Sequence, residues 1–221
     1  MQELPTPWEQ QINIEIRRKF CFPAERDFFA DLSPSHFREY IRAFRALKDA
    51  KRYIEIGTYD KGNLGYLIEI LAEDATIIDI DVGQNREQAD KLKDALKRCQ
   101  TYHQIVGDSQ AQETAQCATE KLGGLQADAI FIDASHAAEA VITDYSLYSP
   151  LVRPGGLVLF HDALWTGDDI YLGVAQALEI IDRITPVYLL SGDRPVHRFV
   201  RPLRHGTLWG GFGVIAKEKS N

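Results

Sequence analysis

The sequence predicts a single α/β domain built on a mostly parallel β-sheet. Three observations carry that expectation. From Tyr53 onward, short apolar runs alternate with amphipathic stretches. The runs end at a glycine or an acid. The stretches between them place apolar residues three and four apart, the spacing of a helix face.

The elements follow in order. Ahead of the first run, a helix from about Ser35 to Asp49 carries Phe37, Ile41, Phe44 and Leu47 on one face, with Ser33 or Ser35 as its cap. The earlier aromatic segment, with Trp8, Phe20, Phe22, Phe28 and Phe29, is expected to pack over the sheet edge or the site mouth. The first strand is Tyr53–Ile56, ended by Gly57, and a helix from about Asn63 with Leu64, Leu67, Ile68 and Leu71 follows. The second strand is Thr76–Asp81, and its helix bears Ala89, Leu92, Leu96 and Cys99. The third is His103–Val106, closed by Gly107 and Asp108, and the fourth is Ala129–Ile132, closed by Asp133. After a helix with Val141, Tyr145 and Tyr148, the turn Arg153-Pro154-Gly155-Gly156 introduces a fifth strand, Leu157–Phe160, closed by His161 and Asp162. A helix from about Asp169 to Arg183 leads to two strand-like runs, Pro186–Leu190 and Phe212–Ala216, with a loop rich in Arg and His between them. No crossover helix fits there, so these two should pair antiparallel. The expected organisation is one domain: a helical cap over 1–50, a ligand-binding core over 51–163, and a substrate-side helix with closing strands over 164–221.

Composition narrows the function classes. The 221 residues carry a formal charge of −7, where a general nucleic-acid binder would present a basic surface. No apolar run approaches the roughly 18 residues of a membrane span. Residues 1–11 are polar and carry Pro5 and Pro7, so no signal peptide is read there. Cys21, Cys99 and Cys117 are odd in number and widely spaced, which favours a reducing compartment and a cytoplasmic protein. Cys99 and Cys117 read as small core or boundary residues.

In open parallel sheets, ligands bind at the carboxyl ends of the strands. Those ends carry Glu55 with Gly57, Asp81, Asp108, Asp133, and His161 with Asp162. The turn from Glu55 through Gly57, Thr58 and Gly62 to Asn63 lacks the G-x-G-x-x-G dinucleotide pattern. It suits a cofactor with a cationic sulfonium and an amino-acid tail, whose amino group Glu55 could face. Of Asp79 and Asp81, read as alternating between faces, Asp81 is nearer the loop and is the expected acceptor for a ribose. Gly107, Asp108, Ser109 and Gln110 would lie beside the base of a nucleoside.

The Glu-x-Gly turn, the acid after the second strand, Gly-Asp-Ser after the third and Arg-Pro-Gly-Gly before the fifth resemble class I S-adenosylmethionine-dependent methyltransferases. More narrowly, Phe131-Ile132-Asp133-Ala134-Ser135-His136 with Pro154 to Asp162 resembles the branch of macrolide-sugar O-methyltransferases and cephalosporin-hydroxylase-like proteins, a family 24-like group. The resemblance implies a Rossmann-like three-layer sandwich with seven strands in the order 3-2-1-4-5-7-6, the seventh antiparallel. It implies S-adenosyl-L-methionine as cofactor, lined by Glu55, Gly57, Thr58, Asp81, Gly107, Asp108, Ser109 and Asp133. In metal-dependent relatives an acid after the fourth strand and an acidic pair after the fifth hold a divalent cation. Asp133 and Asp162 match two of these positions, and His161 stands where the first acid of the pair would be. Lys61 departs from the glycine usual at its place.

The neighbouring ends of strands four and five bring Asp133 and Asp162 together. With His161 they form the expected metal set, for Mg²⁺ or, with a nitrogen ligand, Mn²⁺, Fe²⁺ or Zn²⁺. His136, three residues after Asp133, is the expected base for an attacking hydroxyl, with Asp133 and His161 beside it. The alternative for His136 is a helix-capping or surface histidine. His36 and His103 read as structural or exposed. The basic segment Arg194–His205 is either a solvated or oligomer-forming loop or a lid that attracts an anionic substrate. The expected partner is a small molecule, without nucleic acid or membrane. Two other functions remain open: a non-catalytic cofactor binder of this fold, and a nicotinamide oxidoreductase.

Overall fold

The computed structural model describes residues 43–59, 62–164, 172–190, 197–199 and 210–218. Most of the expected N-terminal cap, Lys61, His36 and nearly all of the basic segment lie outside them.

The elements are β1 (Arg52–Ile56), α1 (Gly62–Ile70), β2 (Thr76–Asp81), α2 (Arg86–Ala95), β3 (Thr101–Val106), α3 (Gln112–Lys121), β4 (Ala127–Ile132), α4 (Ala138–Tyr148), β5 (Val152–Phe160), α5 (Leu172–Asp182), β6 (Tyr188–Leu190), β7 (His197–Arg198) and β8 (Phe212–Ala216). They form one sheet in the order β3-β2-β1-β4-β5-β8-β6-β7. β1 to β5 are all parallel, and β8 runs antiparallel between β5 and β6. This is the expected order, with β8 as the expected antiparallel strand. One strand is added at the edge, inside the segment read as a loop: His197 and Arg198 pair with Leu189 and Tyr188. Arg198 is tied there by Asp182 at 2.7 Å, and Phe199 is buried.

The strands are apolar on both faces because helices cover both, as a parallel sheet requires. Tyr53, Ile77, Phe131 and Leu159 face one layer, made of Phe44, Leu47, Leu64, Leu67 and Leu92. Ile54, Ile56, Ile80, Ile130, Ile132 and Phe160 face the other, where Ala118, Val141, Val174 and Leu178 pack. The period of two along each strand decides which residue joins which layer.

Two local expectations change. The Arg153–Gly156 turn belongs to β5 itself, entered through a register shift against β4 between Ala127 and Ala129. Cys99 is exposed and lies beyond α2, which stops at Ala95. Gln100 holds the chain there: its side-chain amide donates to the carbonyls of Ile68 and Ala72, so the segment serves α1 and does not extend α2. Among the described residues, no helix is long and apolar enough to cross a membrane.

Candidate active site

The carboxyl ends of β1, β2, β3 and β4 open on a cleft of about 340 Å³. Gly57 and Tyr59 line it from β1, Asp81 and Val82 from β2, Gly107 to Gln110 from β3, and Asp133 to Ser135 from β4. Gly57 has φ +86°, and a Cβ there would stand 2.2 Å from the Asp133 carbonyl oxygen. The close approach that this glycine permits is thus one of chain to chain. Asp133 donates its amide to Ile56 O at 2.8 Å, so the first and fourth strand ends are fixed against each other.

Asp81 stands in the cleft wall. Its Oδ2 accepts from the Tyr59 amide at 2.8 Å and its Oδ1 from the Gly83 amide at 2.7 Å. Each carboxylate oxygen has a second acceptor site, so two hydroxyls can still be taken. Asp79 and Asp81 do not alternate faces, contrary to the sequence reading: two residues apart on a strand, they share one. Depth separates them. Asp79 is fully buried and accepts from the hydroxyls of Thr58 and Tyr102.

Glu55 and Thr58 are buried beneath the cleft, outside its lining: β1 turns Glu55 toward the α1 layer with Tyr53, and Thr58, just past the strand, donates to Asp79. Glu55 is 1% exposed and accepts from the Tyr53 hydroxyl at 2.8 Å. Burial pushes its pKa up to about 8; the Tyr53 bond opposes this, and Asp79 and Asp133 add to it. On the β3 side, Asp108 accepts from the Gln110 amide at 3.0 Å, and the Ser109 carbonyl accepts from Tyr148 at 3.0 Å.

The ends of β4 and β5 carry a second cluster against the same wall. His161 Nδ1 lies 3.2 Å from Asp133 Oδ1 and 3.3 Å from Asp162 Oδ2. Burial alone would lower the His161 pKa. The two carboxylates outweigh it and push the pKa up to about 10, so the ring is cationic at neutral pH. His136 Nε2 lies 3.0 Å from Asp162 Oδ2 and 4.0 Å from Asp133 Oδ1. Burial would raise the Asp162 carboxyl, yet His136 and His161 hold it well below the usual carboxylate range. The aromatic rings of Phe131 and Phe212 pack on His161 with centroids 6.2 and 5.3 Å away. Asp162 adopts φ +53°, a conformation that an aspartate tolerates better than most residues.

Asp133, His136 and Asp162 offer ligand atoms that all lie within 4.8 Å of one another. The structure therefore adds His136 to the expected metal set. His161 meets both carboxylates through one nitrogen, in the manner of a hydrogen-bond donor. His103, on β3, is remote from the cluster and is lowered in pKa by burial.

Several functional positions escaped the sequence reading. Tyr59 and Ser135 line the cleft from loops that have no periodicity to read, whereas Gln110 lines it where the sequence places it. Gly173 lets α5 approach the backbone of residues 136–138: a Cβ there would lie 2.2 Å from His136 O. Asp144 is fully buried under Ser109. Its spacing from Val141 and Tyr148 was the available signal, since it puts a carboxylate on the buried face of α4.

Comparison with known proteins agrees with this architecture. No curated protein sequence matches the chain. Among solved structures, the O-methyltransferase TomG from Streptomyces achromogenes, in complex with S-adenosylmethionine, is 19% identical over 97% of this chain and 91% of its own, with a TM-score of 0.57. An O-methyltransferase from Bacillus cereus bound to S-adenosylhomocysteine is 16% identical over 97% and 93%, with a TM-score of 0.54. MycE of the mycinamycin pathway, in complex with Mg, S-adenosylhomocysteine and mycinamycin VI, is 21% identical with a TM-score of 0.57; the match covers 94% of this chain and 54% of that longer one. Residues 54–163, about half of the chain, match the family described as methyltransferase domain. That span holds β1 to β5, the cleft and the histidine–aspartate cluster, and with the strand order it places the chain in the class I S-adenosylmethionine-dependent methyltransferases.

Proposed function

We propose that the chain transfers the methyl group of S-adenosylmethionine to a hydroxyl oxygen of a small molecule. The observation that carries this reading is the shared wall Asp133–Ser135: one side lines the cleft, and the other carries the His136–Asp162 pair. The cofactor would lie with its ribose on Asp81 and its base against Asp108 and Ser109. Glu55 would lie beneath the floor, under the cationic end, where burial keeps it protonated at neutral pH. The acceptor would then meet the methyl carbon next to the cluster, and most of the rate would come from holding sulfur, carbon and oxygen in line.

His136 takes the acceptor proton as the oxygen–carbon bond forms and the carbon–sulfur bond breaks. Asp162, which accepts from Nε2, orients the ring and stabilises the imidazolium. His161 holds Asp133 and Asp162 together. The donor set of Asp133, His136 and Asp162 also fits a divalent cation, Mg²⁺ or Mn²⁺, which when bound would make the acceptor hydroxyl more acidic. The net charge of −7 and the TomG and MycE likenesses support a small-molecule acceptor over a nucleic acid, and an anionic acceptor would suit the basic segment 194–205.

Two variants test the reading. Asp81→Ala should weaken S-adenosylhomocysteine binding in calorimetry, by removing the ribose acceptors. His136→Ala should lower turnover at least about 100-fold with cofactor affinity near wild type. Near-wild-type turnover in His136→Ala would defeat its role as base; His161, cationic at neutral pH, has no free lone pair to replace it.

A further inference from the structure

Asp144 sits in the middle of α4 with 0% exposure, and among the described residues neither carboxylate oxygen has a hydrogen bond of good geometry, Ser109 being the side-chain donor set against it. A buried carboxylate with so thin a set of partners is costly to fold around and calls for a reason. Burial pushes its pKa up to about 6; the Ser109 hydroxyl, its hydrogen-bonding neighbour, opposes this, and Asp108 adds to it. Tyr148 is one helical turn further on, on the same face of α4, and donates to the Ser109 carbonyl. Two side chains of one helix thus converge on Ser109 from below, while Ser109 forms part of the cleft wall above.

We propose that Asp144 is a positioning residue that sets cofactor specificity: by taking the Ser109 hydroxyl proton it leaves Ser109 only lone pairs to offer the cleft, and so selects a purine with an exocyclic amine over one with an oxo group. This rests on the reading that the cleft holds the cofactor with its base against residues 107–110.

The reason lies in donor and acceptor counting. A serine hydroxyl has one proton, and a carboxylate has none to give. Beside Asp144, Ser109 must therefore donate downward. An adenine amine meets the remaining lone pairs as a donor. A hypoxanthine keto oxygen meets them as a second acceptor, and one buried polar group is left unpaired. An amide at position 144 has protons of its own and frees Ser109 to turn its hydroxyl into the cleft. Asp108 is an independent acceptor in the same wall, so some preference for the amine persists without Asp144.

The test is calorimetric and needs no acceptor substrate. S-adenosylhomocysteine and S-inosylhomocysteine are titrated into the full chain as wild type, Asp144→Asn, Ser109→Ala and the double variant. Wild type should prefer the adenosyl ligand by about 10- to 100-fold. Asp144→Asn should shrink that ratio about tenfold. In the Ser109→Ala background, Asp144→Asn should leave the ratio unchanged, because the two act as a unit. A merely structural carboxylate would weaken both ligands equally. An unchanged ratio in a folded Asp144→Asn protein overturns the proposal. If that variant does not fold, a wild-type ratio in Ser109→Ala overturns it instead. Wild type binding neither ligand would bring down the reading of the cleft and this proposal together; binding with an unchanged ratio brings down this proposal alone.

Discussion

Replacing Glu55 by Gln should stabilise the protein increasingly as pH rises. Glu55 is buried between Tyr53 and the acids Asp79 and Asp133, and its pKa in the folded chain is about 8 against an ordinary 4.5. The folded state therefore holds a proton that the unfolded state has released. The contribution is fully present below pH 4.5 and is lost as pH climbs toward 8. At 1.36 kcal/mol per pKa unit, the full loss has a ceiling of about 5 kcal/mol. Relaxation around the ionised group should reduce the measured value to about 2 kcal/mol. Gln keeps the acceptor for the Tyr53 hydroxyl and cannot ionise. Denaturant unfolding of wild type and Glu55→Gln between pH 5 and 9 gives the comparison. The two curves should converge at low pH and separate above pH 6, with the variant more stable. His161 also titrates, at higher pH, but it does so in both proteins and cancels in the difference. Parallel curves across the whole range would refute the placement of a protonated Glu55 beneath the cleft.

Three further outcomes are expected. Gly57→Ala should destabilise the chain by about 2 kcal/mol or more, measured by thermal unfolding, because φ is +86° and the new Cβ meets backbone that cannot move aside. Gly173→Ala should lower turnover more than tenfold while cofactor affinity changes little, since the added methyl pushes on the backbone that carries His136; equal losses in both would assign the glycine to packing alone. Exhaustive chelation should reduce turnover, and adding Mg²⁺ or Mn²⁺ should restore it; full activity in metal-free protein would leave the cationic His161 as the group that holds Asp133 and Asp162 together.

The amino-acid sequence alone determined the sheet, because that information is local. Runs such as Ala129–Ile132 are apolar on both faces, and only a parallel sheet covered on two sides buries both. The same runs fix where the strands end, and so they gather Asp81, Asp108, Asp133 and Asp162 along one edge. Depth and partnership were decided only by the tertiary structure. Asp79 and Asp81 are two residues apart on one face, and which of them reaches the cleft depends on Thr58 and Tyr102, brought in from other elements. His136 and Asp162 are 26 positions apart, and Asp144 lies 35 residues from Ser109, so no spacing in the chain announces either pair. Gly57 reads as a ligand-facing glycine and Gly173 as an ordinary one until the strands and helices that press against them are in place. Hydrophobic period is written along one element, whereas the distance between two charges is set by how whole elements pack.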